Sequence, residues 1–181
     1  MRTLLIIFPV ITVLIISDVQ AAAPVIVKTP ELEIELFPRT AQQMDSFYEA
    51  RGFPKAMRDI LKKQCFITVG IHNTSNKKIW LDLSNWKFSS AGKAINRQHR
   101  DVWKKRWQDM NMPLNKQSTF RWTLIPETLD YLPGEDEGGN IVLPFTDKPV
   151  SLTATFATGE DKQGEAITIT TDKLFCAEDA K

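Results

Sequence analysis

Two histidines, His72 and His99, are the only imidazoles in the 181-residue chain. A Ser-His-Asp or Cys-His catalytic device would therefore have to use one of them. Neither histidine lies in a motif that supports nucleophilic, metal or phosphate chemistry. We predict that His72, at the end of a strand, is structural, that the chain is not an enzyme and that it uses no cofactor.

Two groups of side chains could attract a metal ion. His99, Met110 and Met112 offer soft ligands of the kind that copper prefers, and the acidic run Glu135–Glu137 could attract Ca²⁺. Neither group has diagnostic spacing, because methionines more often fill a core and the acidic run lacks the ligand order of an EF-hand loop. The prediction is therefore that no metal site is present.

The segment 97–107 has residue types suited to binding. Arg97, Arg100 and Lys104 supply positive charge, and Trp103 and Trp107 stand one turn apart on a predicted helix. Tryptophan and arginine are over-represented at the energetic centres of interfaces. The segment predicts a non-enzymatic protein that binds an unidentified extracytoplasmic protein with an acidic surface.

Trp80 is a further candidate for binding. In the predicted strand 79–83, Ile79, Leu81 and Leu83 share one face, so Trp80 points to the opposite face. We expect the helix near 98–110 to cover this ring, tryptophan on tryptophan. A solvated Trp80 would instead be a contact residue.

The aromatic residues also support an alternative function. They could form a platform for a sugar or another small ligand, with Asp82, Asn85 and Arg100 as polar partners. A secreted carbohydrate- or small-ligand-binding module is therefore the second hypothesis, and salt-insensitive quenching of tryptophan fluorescence by glycans would distinguish it from the first.

Charge is balanced overall but uneven along the chain. The total is 23 Lys+Arg against 22 Asp+Glu, or +1, which argues against a generic nucleic-acid binder. Residues 51–122 hold 16 basic and 4 acidic residues, or +12, whereas residues 123–181 hold 4 and 12, or −8. Either these regions form separate faces, or they interleave as strands and neutralise each other.

The first 21 residues predict a secretory signal. Arg2 precedes the apolar run Leu4–Ile16, and Val19 and Ala21 occupy the small-residue positions of a cleavage site. No later segment is apolar enough to span a bilayer. We predict cleavage after Ala21 and a periplasmic or secreted mature protein.

Cys65 and Cys176 are the only cysteines. In an oxidising compartment an even number of cysteines favours pairing, and two cysteines allow one intramolecular bridge. A Cys65–Cys176 disulfide is therefore predicted.

Hydrophobic periodicity predicts one domain over residues 22–181, built from seven or eight short strands separated by turns. Helical spacing and caps predict two short helices near 41–63 and one near 98–110. Further segments are predicted as a strand over 119–125 and a long polar turn over 132–140.

Two segments resemble parts of secreted immunoglobulin-like modules. Residues 69–79 are similar to a strand that leads into an Asn-Ser turn, and residues 114–122 to a later strand that follows a polar turn. Together with the strand spacing, this predicts a mainly β fold, an antiparallel immunoglobulin-like β-sandwich with helical insertions.

Overall fold

The computed structural model describes residues 23–179, and the predicted signal peptide over 1–21 lies outside the described residues. The described part contains ten strands, namely β1 Val25–Lys28, β2 Leu32–Arg39, β3 Gln64–Asn73, β4 Ile79–Asp82, β5 Trp86–Ser90, β6 Lys93–Ile95, β7 Thr128–Tyr131, β8 Asp136–Pro144, β9 Val150–Thr158 and β10 Ile167–Leu174. The α-helices in the same range are α1 Ala41–Glu49, α2 Lys55–Leu61, α3 Arg100–Asp109 and α4 Leu114–Thr123.

The strands form two antiparallel sheets, which confirms the prediction of a mainly β architecture of the sandwich type. The first sheet has the order β1-β2-β3-β8. In the second sheet β9 is central, with β10 along one edge and β5 along the other. β4 follows the same edge as β5, β6 extends β5, and β7 pairs with β4.

Alternating apolar residues fill the space between the sheets. On β2, Leu32, Ile34 and Leu36 are buried and the intervening glutamates are half-buried, as expected for a strand with one solvated face. Ile67 of β3 and Phe156 of β9 belong to the same core cluster. The inter-sheet core therefore follows the period-two pattern of the sequence.

The four helices of the described residues form a layer on the outer face of the first sheet. Phe66 of β3 and Val142 of β8 point away from the inter-sheet core and join a second cluster with the helices. Helix α1 begins with the predicted capping box, because the Gln43 N–H donates to Thr40 Oγ1 at 3.1 Å and the Thr40 N–H donates to Gln43 Oε1 at 3.0 Å.

The Cys65–Cys176 disulfide is present, which confirms the prediction, and it bridges a sequence separation of 111 residues. Cys65 lies in β3 of the first sheet, and Cys176 follows β10 of the second sheet. Both cysteines are buried. The bond therefore ties the two sheets together across the core.

The predicted strand over 119–125 is wrong, since residues 114–123 form helix α4. Phe120 and Leu124, four positions apart, are buried, while Trp122 between them is 84% exposed. A strand would place all three on one face, whereas this pattern follows the helical period. The part of the chain that resembled an immunoglobulin-like strand at 114–122 is consequently helical.

The predicted polar turn over 132–140 is also too long. β8 begins at Asp136 and pairs with β3 from His72 onward. Polar and glycine residues are compatible with a strand here, because this end of the first sheet has no helix over it and Glu137 and Gly138 remain exposed.

Candidate functional site

Helix α3 is held at its start by Glu127. The His99 side chain caps the helix, its Nδ1 accepting from the Asp101 N–H at 3.1 Å. Glu127 Oε1 accepts from the backbone N–H of Arg100 at 3.0 Å and from Arg97 Nη1 at 3.2 Å. A carboxylate at the N-terminus of a helix complements the helix dipole, so Glu127 fixes where α3 begins.

The same contacts set the ionisation of Glu127. Burial alone would raise the pKa of this carboxyl group, but hydrogen bonds from the Arg97 guanidinium and the Arg100 backbone outweigh it and hold the pKa below the ordinary value. Arg97 is thus committed to an internal ion pair with Glu127, and its side chain is only 14% exposed. The structure places Arg97 at the base of α3 and not on its outer surface.

Trp103 and Trp107 lie side by side beneath α3. Their ring centroids are 5.3 Å apart with nearly parallel planes, and each ring meets the ring of Phe120 from α4 roughly edge-on. Both tryptophans are 1% exposed. These rings belong to the helical core, and burial of such large side chains explains why α3 packs against α4.

A groove of about 170 Å³ runs between α3 and α4. Trp103, Trp107 and Phe120 lie along its floor, whereas exposed Lys104 and Leu114 lie along its rim. Neither indole N–H of the two tryptophans has a hydrogen-bond partner in the described structure. The groove therefore has an aromatic floor.

Arg100 is the least exposed of the three cations that line the groove. One Nη donates to the carbonyl oxygen of Leu124, while its Nε is buried without a partner. Burial, and then the nearby positive charges of Arg121 and Arg97, lower the pKa of Arg100, and Glu127 offsets this only in part. An added anion next to Arg100 would offset both the cost of burying its charge and the repulsion from Arg121 and Arg97.

Together with Arg121, Arg100 and Lys104 make the groove positive. Arg121 lies along the same groove, and its nearest carboxylate oxygen in the described residues belongs to Asp101, 3.8 Å away and highly exposed. Among the residues that line the groove, none is acidic. The site is therefore equipped to bind a negatively charged group.

Two large apolar side chains are exposed on α4, Leu114 at the groove and Trp122 directly after Arg121 in the helix. Leu114 is 76% exposed and Trp122 is 84% exposed. We refer to Arg100, Lys104, Leu114, Arg121 and Trp122 together as the helical face. A surface that combines exposed tryptophan with arginine has the composition of an interaction site.

Trp80 lies apart from the helical face, on β4 of the second sheet. Its Nε1 donates to the carbonyl oxygen of Gly159 at 2.7 Å, and the ammonium groups of Lys78 and Lys162 lie 5.1 and 4.5 Å from its ring centroid. The ring is half-buried by these neighbours and not by α3, so the expected stacking of tryptophan on tryptophan at this position is wrong.

The basic and acidic regions of the sequence interleave in the fold. Lys78 forms ion pairs with Asp130 and Glu160, and the hydrogen bond to Glu160 raises the pKa of Lys78. Arg97 pairs with Glu127 in the same way. These ion pairs neutralise part of the sequence asymmetry locally, whereas Arg100, Lys104 and Arg121 lie together along the groove.

Four of the predicted binding residues therefore meet at one place, and three residues of the face, Leu114, Arg121 and Trp122, were not identified from the sequence. Arg100 and Lys104 lie at the groove with the rings of Trp103 and Trp107 as its floor, but Arg121 and Trp122 were assigned to a strand. The signals for a helix were Pro113 at its start and the i, i+4 spacing of Phe120 and Leu124, but the alternation of Phe120, Trp122 and Leu124 favours a strand equally well.

Metal and membrane features are limited in the described part of the chain. Between residues 23 and 179, no three His, Cys, Asp or Glu side chains are placed together to hold a metal ion. Over the same residues, the helices are too short or too polar to cross a bilayer.

Comparison of the chain with protein-family models finds no match, and comparison with curated proteins finds no significant match. The residues of the chain and their arrangement are therefore the guide to its function.

Proposed function

We propose that the mature chain is an exported, non-enzymatic β-sandwich protein of immunoglobulin-like type that binds an acidic partner protein through the helical face. The observation that supports this most directly is the set of three cations, Arg100, Lys104 and Arg121, beside two highly exposed apolar side chains, Leu114 and Trp122. Charge on such a face steers an oppositely charged partner, and the apolar residues hold it after contact.

Export is part of the proposal. A disulfide persists in the periplasm or outside the cell but is rare in a reducing cytoplasm, so the buried Cys65–Cys176 bond is compatible with the predicted signal peptide. The partner is accordingly expected in the same extracytoplasmic space.

The proposal is tested by charge reversal at two exposed cations. We expect the mature protein, immobilised, to retain a protein from the extracytoplasmic fraction at about 0.1 M salt and to release it near 1 M, because the Debye length falls from about 10 to about 3 Å. Lys104→Glu with Arg121→Glu should abolish retention. These two positions are preferable to Arg100, whose guanidinium also holds the Leu124 carbonyl group.

A matched control changes the charge by the same amount elsewhere. Lys87→Glu with Lys93→Glu alters two exposed lysines of β5 and β6 and should leave retention unchanged. Equal retention by the Lys104/Arg121 variant and the parent would refute the assigned face. A salt-insensitive change in tryptophan fluorescence on glycan titration would favour the carbohydrate-binding alternative instead.

A further inference from the structure

The groove of the helical face has the size of a single side chain. An apolar cavity of about 150 Å³ holds one benzene molecule, and the groove between α3 and α4 measures about 170 Å³. Its floor is aromatic, with Trp103, Trp107 and Phe120 in mutual contact. A ring or a branched aliphatic group is therefore the occupant that fits by volume and polarity.

The charges around the groove select what must accompany that apolar group. Arg100 has a buried Nε without a partner, and Lys104 and Arg121 lie along the same groove. None of the lining residues is acidic, so an anionic occupant would supply a counter-charge that the lining itself lacks. A carboxylate is the group that a guanidinium binds with two parallel hydrogen bonds.

We propose that the groove binds a segment of the partner protein in which one aromatic or branched apolar side chain lies next to a carboxylate. The apolar side chain enters above Trp103 and Trp107. The carboxylate pairs with Arg100 and Arg121. This inference rests on the proposed function and specifies its ligand. The exposed Leu114, which lines the groove, then lies beside the entering segment and shields it from water.

The test uses 3-phenylpropanoate as a minimal probe, with the neutral 3-phenylpropanol as its comparison. We expect the carboxylate to shift the indole N–H resonances of Trp103 and Trp107 saturably in the mature protein, while the resonance of Trp80 stays in place. The alcohol should bind about tenfold more weakly, the effect of losing one charge-assisted hydrogen bond. Equal affinity of the two compounds, or no shift with either, would overturn the inference.

Two variants of α4 locate the binding. Ser118→Phe places a ring in the groove, because Ser118 lines it, and should abolish the response to the probe. Asn115→Phe adds the same ring at an exposed position of α4 outside the groove and should preserve the response. Arg121→Gln removes one positive charge and keeps a polar side chain at the groove, so it should weaken binding of the carboxylate but not of the alcohol. A full response in Ser118→Phe would contradict the assignment.

The outcomes separate this inference from the proposed function. If salt-sensitive retention of a partner survives in Ser118→Phe but is lost in the Lys104/Arg121 charge reversal, the helical face binds a partner without using the groove, and only the inference fails. If the mature protein sediments with phosphatidylglycerol vesicles and does not respond to 3-phenylpropanoate, the helical face binds lipid. That result would overturn both the proposed function and this inference.

Discussion

Gly139 links the stability of the sandwich to the position of the helical face. The chain that leaves α4 crosses β8 at this residue, where the Ile125 N–H donates to the Asn140 carbonyl oxygen at 3.1 Å. A Cβ at position 139 would lie 2.5 Å from the nitrogen of Ile125 and 2.9 Å from the carbonyl carbon of Leu124. Ordinary contacts begin at 3.4 Å, so Gly139→Ala must push this backbone away by almost 1 Å.

The cost follows from what has to move. Overpacking a well-packed site costs about 1–3 kcal/mol, and losing the Ile125–Asn140 hydrogen bond costs about 1 kcal/mol. We therefore expect Gly139→Ala to be about 2–4 kcal/mol less stable than its control. The control is Gly70→Ala in the neighbouring strand β3, where the added Cβ meets only the Glu35 side chain, at ordinary contact distances of 3.6 Å from Oε2 and 3.8 Å from Cβ.

Urea unfolding followed by tryptophan fluorescence and far-ultraviolet circular dichroism measures the difference. Because both variants replace a glycine with an alanine, the change in unfolded-chain entropy is the same and cancels. With a denaturant slope of about 2 kcal/mol/M, the midpoint of Gly139→Ala should fall about 1–2 M below that of Gly70→Ala. Midpoints within about 0.3 M of each other would refute the close crossing. Displacement of Leu124, which lines the groove, should also weaken binding of 3-phenylpropanoate.

Two further outcomes test the rest of the fold. Replacing Cys65 and Cys176 together by alanine opens a loop with a sequence separation of 111. In the chain-entropy model this should lower the free energy of unfolding by about 5 kcal/mol. A loss below about 1 kcal/mol in urea titrations would contradict this expectation. Glu127 has a folded-state pKa below its ordinary 4.5, so its carboxylate stabilises the fold above that pH and loses this effect as the pH falls through the folded-state value. The Glu127→Gln variant should therefore be less stable than the parent at neutral pH, and it should lose less stability than the parent on acidification to pH 3. Equal losses in the variant and the parent would argue against this role of Glu127.

Elements fixed by local interactions could be predicted from the sequence. The capping box of Thr40 and Gln43 involves residues three positions apart, so it is visible in the sequence and present in the fold. The alternation Leu32–Leu36 defines a strand with one buried face in the same way. In both cases the pattern lies within a few positions of the sequence, although the apolar side chains of β2 are buried by strands far along the chain.

Helix α4 depends on contacts that the sequence does not display. Phe120, Trp122 and Leu124 alternate with polar residues, which is typical of a strand. The helix is favoured because Phe120 packs under Trp103 and Trp107, seventeen and thirteen positions earlier in the chain. Tertiary burial overrides the local pattern here, as it often does where propensities are weak.

The candidate site was only partly predictable from the sequence, because part of it depends on how two helices pack together. The sequence placed Arg100 and Lys104 on one helix with two tryptophans, and that helix is present. Which side of the helix would be buried depended on the partner element, so the inward position of Trp103 and Trp107 could not be read locally. Arg121 reached the same groove only because α4 packs beside α3.

Strands β3 and β8 serve two cores at once. Cys65 and Leu143 face the space between the sheets, whereas their sequence neighbours Phe66 and Val142 face the helices. The two layers consequently depend on separate sets of side chains carried by the same backbone. Over evolutionary time, the outward helices can change their surface chemistry while the inward residues keep the scaffold intact, so a new ligand preference need not require a new fold.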